Sequence, residues 1–115
     1  MKKIEAYIKS ERLKETINKL KEIKAPGFTY YNVTGHGKEE KVKVVVAGRA
    51  VAAIREDILP RTKIEVVCND DDTENIVNAI REGCCISKPG DGMVFVSPVT
   101  DAYRLRTKEK VSKIE

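Results

Sequence analysis

A short glycine motif near the C-terminal end of the sequence is the feature best suited to binding chemistry. Gly90 and Gly92 flank Asp91, and an apolar segment begins at Met93. Glycine permits a positive φ and a close approach of the backbone to a ligand, and successive N–H groups in such a turn can hold an anion. A tight turn leading into a strand is the simpler interpretation, and these residues alone leave both open.

Two arginines that follow this motif strengthen the anion interpretation. Residues two apart on a strand project to the same face, and we expect Arg104 and Arg106 to lie on a strand. Two guanidinium groups on one face suit phosphate oxygens. The sequence therefore predicts an anion site made by residues 90–92 and the two arginines, with two solvated arginines as the alternative.

Composition narrows the class of protein. The 115 residues fit one domain. A content of 41% hydrophobic and 35% charged residues is typical of a folded, water-soluble chain. No apolar run approaches the ~20 residues of a membrane span, and the first residues lack a signal peptide's apolar core. The net charge of +4 is spread among acids, and tryptophan is absent. We therefore expect a cytoplasmic protein that is neither membrane-embedded nor a nucleic-acid binder.

The cysteines and the histidine argue against a metal centre and against catalysis. Cys68, Cys84 and Cys85 form no CxxC pair, and His36 is the sole histidine, so zinc is disfavoured. Cys68 lies in an apolar segment and is expected in the core. Cys84 and Cys85 are interpreted as reduced thiols at a helix end, with a redox pair as the alternative. No Ser/His/Asp or Cys/His arrangement is evident, so we expect no enzyme.

The pattern of elements predicts a ferredoxin-like α+β domain over residues 1–115. Ser10 is the predicted N-cap of a first helix, which ends at Pro26. Asn69 and the three aspartates at 70–72 precede a second helix, where capping is favoured over a metal site. Four segments have strand character: residues 4–8, 28–33, 62–68 and 93–96. The resulting order βαββαβ places two helices on one face of a four-stranded antiparallel sheet.

The second face of that sheet is predicted to mediate self-association. Tyr7, Tyr31, Val33 and Val67 are expected on it, and an apolar face without helices needs cover.

A long connection, residues 38–60, separates the second and third predicted strands. It begins with charged residues and continues with a valine-rich run that Ala47 and Gly48 interrupt, and residues 50–58 have helical composition. An extended hairpin with a short helix packed on the body is one interpretation. We favour the other, a mobile arm that contacts a partner, because long loops on rigid sheets often do so.

The chain resembles the PII signal-transduction proteins over nearly its whole length. Residues 97–103 look most like the branch encoded with nitrogenase. The segments that carry the resemblance follow one another in family order: residues 1–6, 27–29, 35–38, 59–67, 90–96 and 104–107.

The resemblance implies a homotrimeric regulator of nitrogen or carbon metabolism. It implies ATP and ADP competing for clefts between subunits, and an arm at 38–60 that contacts an unidentified target protein. Residues 107–115 are then a C-terminal tail. The implied nucleotide contacts comprise the phosphate turn Gly90, Asp91, Gly92 and Met93, the phosphate arginines Arg104 and Arg106, the adenine-side residues Thr29, Glu65 and Val67, and the loop base Gly35, Gly37 and Lys38.

Four positions depart from the family pattern. Met93 stands where the family usually has lysine, which favours weaker ATP binding or a preference for ADP or AMP. Lys38 replaces an arginine, and Arg61 replaces a lysine at the loop base. Glu39 replaces a glutamine that helps to hold Mg²⁺ and 2-oxoglutarate, and its carboxylate would repel that dianion. The alternative function is therefore a trimeric module that senses AMP, ADP or a small anion such as bicarbonate, without 2-oxoglutarate.

The arm also lacks an acceptor for covalent modification. Residues 38–60 contain no Tyr, Ser or Thr. The uridylylation, adenylylation or phosphorylation of a loop hydroxyl that the family uses has no site there.

Overall fold

A computed structural model describes residues 1–36, 40–55, 58–85 and 92–115. Two α-helices, α1 (Leu13–Glu22) and α2 (Thr73–Cys84), are each preceded by a short 3₁₀ turn. The strands of the described residues are β1 (Lys2–Lys9), β2 (Phe28–His36), β3 (Glu40–Val46), β4 (Arg49–Arg55), β5 (Ile58–Cys68), β6 (Gly92–Pro98), β7 (Ala102–Tyr103) and β8 (Lys110–Val111).

The main sheet has four antiparallel strands in the order β2-β5-β1-β6. With the β3–β4 hairpin set aside, this is the predicted βαββαβ arrangement. Alternate residues of β1 and β5 are buried, as expected where one face of a sheet is covered. The core between sheet and helices contains Ile4, Ala6, Ile8, Leu20, Ile64, Val66, Cys68, Ile76, Ala79, Ile80 and Cys84. The core position predicted for Cys68 is thereby confirmed.

The predicted helix caps are wrong in detail. Lys9 occupies the cap position before the first 3₁₀ turn, and Ser10 is already inside that turn. The Ser10 hydroxyl accepts a 2.9 Å hydrogen bond from Thr62, because the buried Thr62 hydroxyl needs a partner. Neither Asn69 nor Asp72 makes a side-chain cap hydrogen bond at the second helix.

The two helices approach each other closely at Gly83. A Cβ at this position would lie 2.5 Å from the Cα of Thr16, so no larger side chain fits without displacing backbone. Arg12 stabilises the same helix contact, because its Nε and Nη2 both donate hydrogen bonds to the carbonyl of Gly83, at 3.1 and 2.9 Å. This contact fixes the end of α2, from which the chain continues toward residues 86–91.

Residues 40–55 form a hairpin. β3 pairs with β4 from Glu40↔Arg55 to Val46↔Arg49, and these two strands make a sheet of their own. Ala47 and Gly48 both have positive φ, as a two-residue hairpin turn of matching twist requires. The predicted helix is therefore wrong for residues 50–55, where strand pairing overrides helical composition. Ile58 already belongs to β5, which begins earlier than the sequence suggested, and residues 56–57 lie outside the described residues.

The protein is elongated. Its principal extents are 65 × 25 × 20 Å and its radius of gyration is 18.0 Å, against about 13 Å for a compact domain of this length. In the described ranges, neither α1 nor α2 has the length and apolar character that a membrane crossing requires.

Substitution Gly83→Ala tests the helix contact. We expect a loss of roughly 1–3 kcal/mol in unfolding free energy, because the added methyl group meets the backbone of Thr16. Urea unfolding followed by circular dichroism measures it. Asn78→Ala, at an exposed position of the same helix, is the control and should leave stability within about 0.5 kcal/mol. Equal stability of the two variants would contradict the close contact.

Candidate functional site

The face of the main sheet opposite the helices carries the residues predicted for it. Tyr31 on β2 and Tyr7 on β1 both lie opposite Lys63 on β5, which places all three side chains on one face. Val33 and Val67 share this face by the same alternation. The position predicted for the two tyrosines and two valines is thereby confirmed. We call this surface the open face.

An ionic cluster occupies the centre of the open face. The Nζ of Lys63 lies 2.8 Å from Glu5 and 3.1 Å from Glu65, and 5.3 Å and 5.7 Å from the ring centroids of Tyr7 and Tyr31. Hydrogen bonding to Lys63 lowers the pKa of both carboxyl groups, and hydrogen bonding to Glu5 raises the pKa of Lys63. The cluster stays ionised at neutral pH. The cluster was not predicted from the sequence. The available signal was that Glu5, Lys63 and Glu65 are charged residues at alternating positions of otherwise apolar strands.

The residues predicted on the adenine side lie together on the open face. Thr29 lies directly opposite Glu65 in the β2–β5 pairing, and Val67 follows two residues later on β5. The carboxylate of Glu65 accepts a 2.9 Å hydrogen bond from the Tyr31 hydroxyl as well as the contact from Lys63. These two contacts fix the orientation of the Glu65 carboxylate.

Gly35 and Arg61 mark the end of the open face that leads toward the hairpin. Gly35 lies opposite Leu59, and Arg61 lies opposite Val33. The Nη1 of Arg61 donates to the carbonyl of Pro60 at 3.1 Å. The remaining predicted site residues, Gly37, Lys38, Glu39, Gly90 and Asp91, lie outside the described residues.

Gly92 is held against β1 in a conformation that only glycine adopts easily. Its φ is +118°, and a Cβ built on it would lie 1.9 Å from the carbonyl oxygen of Tyr7. Any side chain here would strain the backbone and strike it as well. Met93, the next residue, lies opposite Tyr7 and is 61% exposed. The edge of the open face therefore carries the thioether of Met93.

The predicted strand at Arg104 and Arg106 is wrong. β7 ends at Tyr103, and the two arginines lie in the connection to β8. The amide of Arg104 donates to Glu109 and the amide of Lys108 donates to Arg104, each at 2.9 Å. These bonds close a turn, so the alternation expected of a strand does not apply. The guanidinium of Arg104 lies 4.0 Å from the Glu115 carboxylate.

Gly92 begins β6, and the chain that leads to the arginine turn leaves the other end of this strand at Pro98. Gly92 pairs with Ile8 and Pro98 pairs with Lys2, six residues or roughly 20 Å along the strand. Beyond Pro98, the amide of Val99 donates to the carbonyl of Met1 at the same far end. Within one chain, Gly92 and the start of the segment that carries the arginines are therefore about 20 Å apart along the strand.

The remaining chemically active side chains do not form a second centre within the described residues. Cys84 is buried and Cys85 is exposed at the end of α2. Over residues 1–36, 40–55, 58–85 and 92–115, no three His, Cys, Asp or Glu side chains come together as metal ligands would.

Fold and open face together define an α+β protein in which one sheet carries two helices on one side and an uncovered, charged and aromatic surface on the other. Residues 1–109 match the family model described as nitrogen regulatory protein P-II. The chain is a member of this family of nitrogen regulatory signal-transduction proteins, as the resemblance of its motifs suggested.

Curated relatives match over nearly the full length of both chains. Nitrogen regulatory protein P-II 2 of Methanothermobacter thermautotrophicus is 37% identical, with 98% of this chain and 96% of the relative covered. Nitrogen regulatory protein P-II of Cereibacter sphaeroides is 40% identical, with 95% of each covered. A nitrogen fixation nifHD region GlnB-like protein 1 from Methanothermococcus thermolithotrophicus is 32% identical, with 95% and 97% covered.

Substitution Gly92→Ala should destabilise the fold at the edge of the candidate site. The strained φ and the clash with the Tyr7 carbonyl predict a loss of about 1–3 kcal/mol in unfolding free energy. Chemical denaturation measures it. Gly27→Ala is the matched control, because nothing lies within 4 Å of a Cβ at Gly27. A Gly92 variant as stable as the Gly27 variant would show that the backbone can rearrange there.

The Lys63 cluster predicts a specific response to acid. Because the pKa values of Glu5 and Glu65 are lowered in the folded state, their contribution to stability is present above the ordinary value of 4.5 and is lost as pH falls through the lower folded value. Lys63→Met should flatten this decline in unfolding free energy below pH 4.5. Urea titrations between pH 7 and pH 3 test it, with Lys14→Met on α1 as control. Parallel pH curves for all three proteins would rule out the cluster as the cause.

Proposed function

We propose that this protein is a trimeric regulator that binds adenine nucleotides between neighbouring subunits. The placement of Gly92 at one end of β6, with the segment that carries Arg104 following the other end, carries the proposal. Both segments carry groups suited to phosphate, and within one chain they leave β6 at opposite ends. Two chains can apply both to one ligand when the glycine turn of one protomer meets the arginine turn of the next.

The open face supplies a surface through which protomers associate. Tyr31 and Phe95 are 45% and 54% exposed, and Phe95 packs edge-on against Tyr7 with ring centroids 6.0 Å apart. Aromatic side chains arranged around a charge cluster suit a partly polar interface. Association over this face would place Thr29, Glu65 and Val67 beside the cleft, where the resemblance assigns them to adenine.

The hairpin is proposed as the arm that contacts the regulated protein. Val45 and Val46 next to its turn are 75% and 58% exposed, so the tip offers an apolar contact. Nucleotide binding can shift this arm only by favouring one of its conformations over another. The target is proposed to be a protein of nitrogen or carbon metabolism.

Ligand preference follows from the departures at the site. Met93 removes one ammonium from the phosphate region, which favours ADP or AMP over ATP relative to other members of the family. Glu39 opposes 2-oxoglutarate, because its carboxylate would repel that dianion. A module that responds to AMP, ADP or bicarbonate is therefore the second candidate, and the exposed thioether of Met93 is the observation that favours it.

Calorimetric titration with ATP, ADP, AMP and bicarbonate tests the proposal. Arg104→Ala and Arg106→Ala should each weaken nucleotide binding by about 10- to 100-fold, the effect of losing a charge-assisted hydrogen bond to phosphate. Lys108→Ala is the matched control, because it removes one positive charge from the same turn and retains a non-glycine residue at φ +62°.

Two measurements would contradict the proposal. One is a monomeric protein by sedimentation or light scattering, at concentrations well above those used in the titration. The other is nucleotide binding that both arginine variants retain in full. Heat from bicarbonate alone, with none from the nucleotides, would favour the second candidate.

A further inference from the structure

Asn69 attaches the C-terminal segment to the main sheet. Its Nδ2 donates to the carbonyl oxygen of Ile114 at 2.7 Å, and the amide of Ile114 donates to its Oδ1 at 2.8 Å. The side-chain amide thus pairs with one residue's N–H and C=O as a neighbouring strand would. Asn69 follows directly after Cys68, the last residue of β5, so the attachment point is a rigid one.

Both ends of residues 99–114 are consequently fixed at the same end of the sheet. Val99 bonds to Met1 at 3.0 Å, and Lys2 pairs with both Pro98 and Cys68. Between these two attachments the chain forms the small β7–β8 ladder, with Ala102 opposite Val111. Residues 99–114 form a closed loop, and its turn presents Arg104 and Arg106.

We propose that Asn69 is a positioning residue for the two phosphate-binding arginines. The inference rests on the proposed function, since it names the side chain that prepares one half of the proposed site. A C-terminal segment free at one end would have to be ordered each time a nucleotide binds, which weakens binding. The two hydrogen bonds of Asn69 order it in advance.

The local bonding of Asn69 supports this role over a helix-capping one. The residue stands at the cap position before the second 3₁₀ turn, where asparagine ordinarily bonds to the backbone of the following turn. It makes no such bond here, and both polar groups of its side chain are directed at Ile114. Ile114 is itself half-buried, so the attachment excludes water from part of the contact.

A double-mutant cycle tests the proposal on the full chain. Asn69→Ala should weaken ADP binding by about 3- to 30-fold in calorimetry, while trimer mass is unchanged. The same substitution in an Arg104→Ala, Arg106→Ala background should add little further loss, because Asn69 acts through those arginines. Asn78→Ala, an exposed asparagine on α2, is the control and should bind ADP as the unchanged protein does.

Hydrogen exchange gives a readout that a general loss of stability would not reproduce. In the Asn69→Ala protein the amides of Ile114, Arg104 and Lys108 should exchange faster, while those of β1 and β5 keep their protection. If that variant fails to fold, Asn69→Asp serves instead. It keeps an acceptor for the Ile114 amide but sets a carboxylate against the Ile114 carbonyl, and it should show the same pattern.

The outcomes separate this inference from the proposed function. An unchanged protein that binds no nucleotide overturns both. ADP binding that Asn69→Ala leaves intact overturns the role of Asn69 alone. A loss that is fully additive with the arginine substitutions also overturns it, because the residue would then act by another route.

Discussion

The antiparallel pairing of β1 with both β5 and β6 is the constraint on which the rest of the structure depends. A strand has two faces, so this register sends Ile4, Ala6 and Ile8 to the helices and leaves Glu5 and Tyr7 uncovered. A shift of one residue would exchange the two sets. The core and the open face are therefore consequences of one choice of register, and the candidate site inherits its composition from the same choice.

The same register determines how the candidate site is divided. The two ends of β6, at Gly92 and Pro98, are roughly 20 Å apart along the strand. Gly92 leaves no room for a side chain against the Tyr7 carbonyl, and hydrogen bonds close the turn within residues 104–109. Association of protomers would bring the two segments together in the proposed nucleotide site.

The elements that depend on hydrophobic periodicity could be predicted from the sequence. The features that depend on pairing between distant segments could not. Alternation located the strands at residues 4–8 and 62–68, which contribute Ile4, Ile64 and Cys68 to the core, and the four-stranded sheet with two helices followed from the order of the elements. Residues 50–55 look helical in isolation, but a two-residue turn at 47–48 forces them into register with β3. Ser10 resembles a cap in the sequence, yet a buried threonine 52 residues away determines its hydrogen bonding. Such contacts leave no local signal.

Asn69 shows why the candidate site could be predicted only in part. An asparagine before an acidic run indicates a helix cap to any local rule, and its partner, Ile114, is 45 residues further along the chain. The arginines were found because their side chains carry the chemistry, whereas the residue proposed to hold their turn in place carries none. Binding groups are visible in a sequence, but the geometry that makes them effective comes from backbone contacts between distant segments. A nucleotide site shared between protomers depends most on such contacts, since each protomer must present its half before the other arrives.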